Sequence, residues 1–225
     1  MCNLYSLTKG QDAIRQLFDG PDPLADTTGN LAPQPGIYPD YKAPVIRHGT
    51  TGLELAIARW GMPTPPVYLT GKRTDPGVTN VRRVDSPHWR RWLGVEHRCL
   101  VPFTSFSELD SRPGAPRNHP VWFALNDTRP LAFFAGIRTT WTSVRKLRDG
   151  ETSDELFAFL TCDPNAEVGA VHPKAMPVIL TRPEDWLHWL TAPASDALRL
   201  QRPLPDGSLQ VVAQGRREDA APGPA

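Results

Sequence analysis

Prolines and glycines interrupt this chain so often that they constrain its fold more than any other sequence feature. The 225 residues include 25 prolines and 17 glycines, which recur along the whole length. Proline lacks the amide hydrogen that helices and central strands need, and glycine favours turns. The chain is therefore expected to form short strands and many loops rather than a bundle of long helices.

Apolar runs between these interruptions indicate the secondary structure. Strand-like runs cover 53–57, 99–102, 121–125, 131–137, 156–162, 176–180 and 209–212. Helical spacing appears only in short segments near Thr8, Ser86, Pro183 and Ala194, with Thr8 and Gln11 as a capping pair. Residues 20–50 are rich in Pro, Gly and Asp and are expected to form an ordered loop. The fold class predicted is α+β: a single domain of mostly antiparallel twisted sheets, partly barrel-like, with peripheral helices.

The domain is expected to cover residues 1–213, and residues 214–225 to form a disordered C-terminal tail rich in Gly, Pro, Ala and charge. The 25 basic residues nearly cancel the 24 acidic ones, so overall charge does not indicate a nucleic-acid or membrane coat. Between Lys72 and Arg98, seven basic residues face three acidic ones, an excess of four. This segment is either a solvated face or a local basic contact surface.

The chain contains neither a long apolar segment nor an N-terminal signal pattern, and its three cysteines are odd in number and widely spaced. These features predict a cytoplasmic protein without disulfides or membrane contact. Cys2, Cys99 and Cys162 lack the spacing of a zinc site, so we expect no metal and no cofactor.

Cys2 is the first candidate for chemistry. Removal of Met1 would leave a free α-amine and a thiol on adjacent carbons, with ordinary pKa values of ~8 and ~8.5. The amine can form a Schiff base with an aldehyde, and the thiol can then close a thiazolidine ring. The alternative, a chance cysteine after the initiator, is the commoner case on position alone.

Glu108 and His172 are candidate proton-transfer groups. Glu108 follows the apolar run 99–102, so we expect it at the mouth of a buried strand, where burial would raise the pKa of its carboxyl group. His172 precedes another apolar run and could carry protons near neutral pH. A solvated surface glutamate and a structural histidine are the respective alternatives.

Three further residues are candidates for binding. Asn80, expected on a loop, could orient a terminal amine, and Arg82 could hold a phosphate with two hydrogen bonds. Trp60 could stack on a nucleobase. Each has a plain alternative: a turn asparagine, a surface arginine and a core tryptophan.

Taken together and in order, these motifs resemble the SRAP (SOS-response-associated peptidase) family over residues 1–212. The matching segments are MCNLYSLT, RWGMPTPP, TNVRR, HRCLVPFTSFSEL, PLAFFAGI, FAFLTCDPN and VHPKAMPVIL. The resemblance implies that Cys2 is the nucleophile, that Asn80, Glu108 and His172 complete its site, and that Arg82 and Trp60 face DNA.

Two departures from the commoner family pattern stand out. Asn3-Leu4 replaces Gly-Arg after Cys2, which removes an arginine expected to contact DNA. The commoner His-x-Arg-Met-Pro is here His172-Pro173-Lys174-Ala175-Met176-Pro177, one residue longer, and Lys174 would supply the phosphate contact as a point charge.

The function implied by the resemblance is covalent capture of abasic sites in single-stranded DNA during the DNA damage response, without a cofactor. We expect a monomer that is cytoplasmic and nucleoid-associated when bound to DNA. Two alternatives are a cysteine peptidase with an N-terminal nucleophile, limited at most to release of Met1, and a non-catalytic DNA-binding module.

Overall fold

The computed structural model describes residues 2–20 and 23–220, in which strands dominate over short helices. The strands are β1 (Leu4–Leu7), β2 (Ala25–Asp26), β3 (Gln34–Ile37), β4 (Lys42–His48), β5 (Leu53–Trp60), β6 (Asn80–Val81), β7 (Arg98–Phe103), β8 (Ser105–Leu109), β9 (Pro120–Ala124), β10 (Ala132–Val144), β11 (Glu151–Cys162), β12 (Met176–Pro177), β13 (Ile179–Leu180) and β14 (Gln210–Gln214). All seven predicted strand segments are therefore confirmed, although 176–180 is divided between β12 and β13.

The strands form two sheets, and most neighbours are antiparallel. The first sheet has the order β14-β9-β8-β1-β3, and the second has the order β12-β11-β10-β7-β4-β5-β2. A further, parallel pairing of β11 with β5 closes β5, β4, β7, β10 and β11 into a barrel. The predicted α+β domain with partly barrel-like antiparallel sheets is confirmed.

In the described part of the chain, five short helices lie around the sheets: α1 (Gln11–Gln16), α2 (Pro87–Arg90), α3 (Ala166–Gly169), α4 (Pro183–Thr191) and α5 (Ala194–Ala197). The longest, α4, begins with a proline and buries Trp186, Trp189 and Leu190, as the sequence predicted. The indole N–H of Trp189 lies 3.0 Å from the carbonyl oxygen of Cys99 in β7, which fixes this helix on the barrel.

Aromatic rings join the two sheets into one core and hold β1 in place. Tyr5 of β1 packs edge-on against Phe134 and Phe159 of the barrel, with ring centroids 5.7 and 6.1 Å apart. Phe134 also stacks on Phe103 at 3.9 Å. Because β1 pairs with β3 and β8 and packs against these rings, the chain that leads from Cys2 into β1 starts from a fixed strand.

The predicted loop over residues 20–50 is wrong for part of its length, because β2, β3 and β4 lie there; residues 21–22 are outside the described part of the chain. Pro44 is the reason that the sequence pattern did not predict β4. It pairs with Ile57 of β5, whereas the pairing of β4 with β7 is confined to Ile46 and Arg47. Pro44 thus sits where β4 is locally an edge, and an edge strand tolerates a missing amide hydrogen.

The predicted capping pair at Thr8 is also wrong, since α1 begins after Gly10 without a side-chain cap. The Thr8 amide instead donates to the Thr104 hydroxyl, 3.2 Å away. The link ties the end of β1 to the turn between β7 and β8, and this long-range contact outweighs a local cap.

The prediction of a disordered tail is corrected for residues 214–220; residues 221–225 lie outside the description. Asp219 is buried, and its carboxylate pairs with Arg129 at 2.7 Å and accepts a hydrogen bond from Ser105 at 2.6 Å. Its amide donates to the Pro35 carbonyl oxygen at 2.9 Å. A buried, paired carboxylate therefore anchors a segment whose composition alone suggested disorder.

Within residues 2–20 and 23–220, no helix has both the length and the apolar character needed to cross a membrane.

Candidate active site around Cys2

Cys2 lies two residues before Leu4, the first residue of β1, and is completely buried. Its thiol is 3.5 Å from the carbonyl oxygen of Leu4. Burial, and after it the negative charge of Glu108, raises the pKa of this thiol well above its ordinary value. The thiol is therefore protonated at neutral pH and would need a nearby base in order to react.

Asn80 fixes the backbone of Cys2. Its side-chain amide donates to the Cys2 carbonyl oxygen at 2.7 Å and to the Thr79 hydroxyl at 2.8 Å. The amide oxygen Oδ1 is buried and has no hydrogen-bond partner among the described residues. Asn80 lies in β6, beside Phe159 of β11, and not on the loop that the sequence predicted.

The segment leading to Asn80 is held by a buried arginine. The Arg145 guanidinium donates to the carbonyl oxygens of Gly61, directly after β5, and of Asp75, later in the segment that leads to β6. Gly77 adopts a φ of 77°, and a Cβ there would collide with that guanidinium. Only glycine fits this turn, and the turn directs the chain through Thr79 to Asn80.

Glu108 reaches the site from β8, the strand paired with β1. Leu4 pairs with Ser107, so Cys2 and Glu108 lie at the same end of this strand pair. Glu108 is only 2% exposed, and burial raises the pKa of its carboxyl group to about 7. The expected burial at the end of a strand is thus nearly complete, and the alternative of a solvated surface glutamate does not hold.

His172 approaches Glu108 from the turn after α3. Its amide donates to the Val168 carbonyl oxygen at 2.7 Å, and Ser111 binds the preceding Val171 carbonyl through its amide and its hydroxyl, at 3.0 and 2.8 Å. These bonds place His172 Nε2 3.7 Å from Glu108 Oε2.

Burial lowers the pKa of His172 and raises that of Glu108, so both shifts favour the uncharged forms. Two groups 3.7 Å apart with these pKa shifts are candidates for proton transfer near neutral pH. The site thus contains a buried, protonated thiol together with a carboxyl group and an imidazole 3.7 Å apart.

Trp60 does not have the exposed position expected for stacking on DNA. It is 1% exposed and packs on Phe159 and Tyr5, with ring centroids at 5.2 and 5.1 Å. Its indole N–H donates to the Thr79 carbonyl oxygen at 3.0 Å. The core alternative therefore holds: Trp60 supports the backbone next to Asn80 and leaves no face for a nucleobase.

Arg82 and Lys174 remain at the surface near the site. Arg82 is 38% exposed and forms an ion pair with Asp163, which is 83% exposed. Lys174 is exposed, and its positive charge contributes to the lowered pKa of His172. Asp163 was not a candidate in the sequence, since nothing local links it to an arginine some 80 positions earlier.

The basic segment 72–98 is divided between surface and core. Lys72, Arg73, Arg83 and Arg90 are exposed. Arg98 is buried and donates to the carbonyl oxygens of Leu93 and Trp189, at 3.0 and 2.6 Å. The local excess of positive charge therefore belongs mostly to a solvated surface, with Arg98 in a structural role.

Comparisons with solved structures identify the fold. A protein from Bacteroides thetaiotaomicron is similar with a TM-score of 0.70 and 21% identity, over 93% of this chain and 90% of that one. A protein from Bordetella bronchiseptica has a TM-score of 0.67 and 24% identity, over 95% and 98% of the two chains. A phage-related protein from the same organism has a TM-score of 0.68 and 20% identity, over 93% and 92%. No curated protein matches the sequence.

The sequence itself matches the family described as SOS response associated peptidase (SRAP) over residues 1–215. That range includes every candidate residue around Cys2. The chain therefore belongs to the SRAP family, a membership that supports a function associated with DNA damage and related to abasic sites.

Proposed function

We propose that this protein captures abasic sites in single-stranded DNA as a covalent thiazolidine through Cys2, after Met1 has been removed. The observation that carries the proposal is the cluster of a buried thiol, an asparagine bound to the Cys2 carbonyl, and the Glu108–His172 pair at 3.7 Å. These groups would provide what thiazolidine formation from an aldehyde requires, namely two adjacent nucleophiles and side chains that transfer protons.

The first step opens the sugar of the abasic residue. One proton leaves the anomeric hydroxyl, the C1′–O4′ bond breaks, and one proton is added to O4′. Glu108 as carboxylate accepts the hydroxyl proton, and the carboxylic acid so formed donates it to O4′. A carboxyl group with a pKa of about 7 is suited to both roles at neutral pH.

The next steps join the aldehyde to Cys2. The α-amine adds to C1′, and loss of one water molecule gives a Schiff base. The thiol sulfur then bonds to C1′ while its proton passes to the nitrogen, which closes the five-membered ring. Glu108 and His172 relay these protons, and the unsatisfied Oδ1 of Asn80 is the acceptor that would orient the amine.

DNA binding would rely on a few local contacts rather than a broad basic surface, in keeping with a net charge of +1. Arg82 and Lys174 are the proposed phosphate contacts. Amide hydrolysis, the activity in the family's name, would be limited to release of Met1. A thiol with a raised pKa forms little thiolate, so attack on the peptide bonds of other proteins is not expected.

Active protein is expected to begin at Cys2, since the Schiff base needs a free α-amine. Intact-mass analysis before and after incubation with an abasic oligonucleotide tests this directly. The adduct should have the mass of protein lacking Met1 plus DNA minus one water. An added N-terminal residue should abolish the adduct and spare DNA binding; an adduct on protein that retains Met1 would exclude the mechanism.

Asp163 is expected to compete with phosphate for Arg82, because the two side chains form an exposed ion pair. Asp163→Asn should therefore tighten binding of lesion-free single strands about two- to fivefold, as expected for loss of one exposed ion pair. Arg82→Ala should weaken binding and lower the dependence on salt by about 0.7 in the log–log slope. Equal affinities in all three proteins at several salt concentrations would place Arg82 outside the interface.

A further inference from the structure

A groove of about 420 Å³ lies along the paired strands that carry Cys2 and Glu108. Asn3 and Leu4, the two residues after Cys2, line this groove, as does Ser107, the residue before Glu108. It is therefore continuous with the backbone of both reacting groups. Its size lies in the range of about 300–1,000 Å³ typical of small-ligand sites.

Aromatic and apolar side chains form much of the groove. Leu109 is 50% exposed beside the half-buried Tyr38. The Tyr38 ring lies 5.6 Å from that of Tyr41, which is 52% exposed. Exposed aromatic rings next to a cation are the usual surface on which proteins stack the bases of single-stranded nucleic acid.

Arg217 provides the cation. It is the one charged residue among the described residues that line the groove, and it is exposed and forms no ion pair with any of them. Its carbonyl oxygen accepts a hydrogen bond from the Tyr38 hydroxyl at 2.6 Å, and Asp219, two residues later, is anchored by Arg129. Arg217 thus lines the groove from a fixed backbone, and its positive charge acts on the Tyr38 hydroxyl.

We infer that this groove binds the nucleotide next to the abasic site, with Arg217 on its phosphate and Tyr38 and Leu109 against its base or sugar. The inference rests on the proposed function, because the occupant is the strand that Cys2 captures. It also explains a departure in the sequence. Position 4 holds leucine where the commoner family pattern has arginine, and Arg217, beyond the family match at residue 215, restores a cation on the same side of the site.

The matched variants Arg217→Ala and Arg216→Ala test the inference. Both remove one exposed positive charge from the same segment, but only Arg217 lines the groove. The probe is a fluorescent single strand with one tetrahydrofuran residue, a closed abasic analogue that cannot form an aldehyde. Arg217→Ala should weaken binding about fivefold and lower the salt slope by about 0.7, whereas Arg216→Ala should stay within about twofold of the wild type.

A second measurement tests whether the base next to the abasic residue stacks on Tyr38. With 2-aminopurine next to the tetrahydrofuran residue, wild-type protein should change its fluorescence through stacking, and Tyr38→Leu should reduce that change by more than half. Equal effects of the two arginine variants, no effect of either, or an unchanged signal in Tyr38→Leu would overturn the inference.

The crosslinking rate separates this inference from the proposed function. With a natural abasic site, Arg216→Ala should crosslink at the wild-type rate, whereas Arg217→Ala should need about fivefold more strand to reach half of its maximal rate. If the tetrahydrofuran strand binds with the expected Arg217 effect and wild-type protein forms no adduct with the natural site, the proposed chemistry fails and the groove stands. If the adduct forms and the two arginine variants bind alike, the groove fails and the chemistry stands.

Discussion

Cys2→Ala is expected to abolish the heat-stable DNA adduct completely. The α-amine of the new N-terminal alanine can still form a Schiff base, but without the thiol the ring cannot close and the imine hydrolyses. Denaturing gel electrophoresis after heating should show no crosslinked band. When borohydride is added during the reaction, a band should reappear, because reduction traps the imine.

Cys162→Ala is the matched control for this variant. Cys162 is also buried, and burial raises the pKa of its thiol to about 12, yet this thiol donates to the Met176 carbonyl oxygen, 3.8 Å away, rather than lying beside Glu108. Crosslinking by Cys162→Ala should equal that of the wild type. A stable adduct from Cys2→Ala without a reductant would identify another nucleophile and exclude the thiazolidine.

Much of the fold could be predicted from the sequence, since apolar runs between prolines and glycines mark strands that are buried on both faces. β7 and β9 are examples, with every residue buried. β3 and β4 were missed because Pro35, Gly36 and Pro44 look like loop residues when the pairing partners are unknown. Local propensity gives way there to the hydrogen bonds and packing of the sheet.

Only the family motifs predicted that the site residues lie close together, because the chain separates them widely. These residues are Cys2, Asn80, Glu108 and His172. Once folded, Asn80 binds the Cys2 carbonyl and His172 lies beside Glu108. Trp60 shows the limit of such reasoning, since an aromatic residue in a motif can equally support the site from within the core.

Partners set by long-range geometry left no trace in the sequence. Asp163 meets Arg82 because the end of β11 lies beside β6, and Arg217 joins the groove because Asp219 is held by Arg129. Composition suggested disorder for that last segment, and a single buried carboxylate reverses the expectation. The composition of a charged segment near a chain end therefore does not predict whether it is ordered unless the partners of its charged residues are known.

Glu108→Gln is expected to slow adduct formation by about 10²–10⁴, the usual contribution of a positioned acid–base group. Glutamine keeps the shape and a hydrogen bond but cannot exchange a proton, so ring opening loses its catalyst while DNA binding is retained. Single-turnover crosslinking to an abasic oligonucleotide measures the rate, and binding to the same strand without the lesion measures affinity. Glu96→Gln, a change of the same kind at an exposed side chain, is the control and should react at the wild-type rate.

The crosslinking rate is also expected to depend on pH in a way that identifies the role of Glu108. Glu108 acts first as a carboxylate, and burial raises its pKa to about 7, so the wild-type rate should rise as the pH increases through about 7. The α-amine adds a second rise near its ordinary pKa of ~8, because only the neutral amine attacks the aldehyde. Glu108→Gln should lose the lower rise and keep the upper one. His172→Ala should slow crosslinking less than Glu108→Gln does, since solvent can partly replace a proton relay. Crosslinking by Glu108→Gln at the wild-type rate across the whole pH series would exclude Glu108 as the acid–base group.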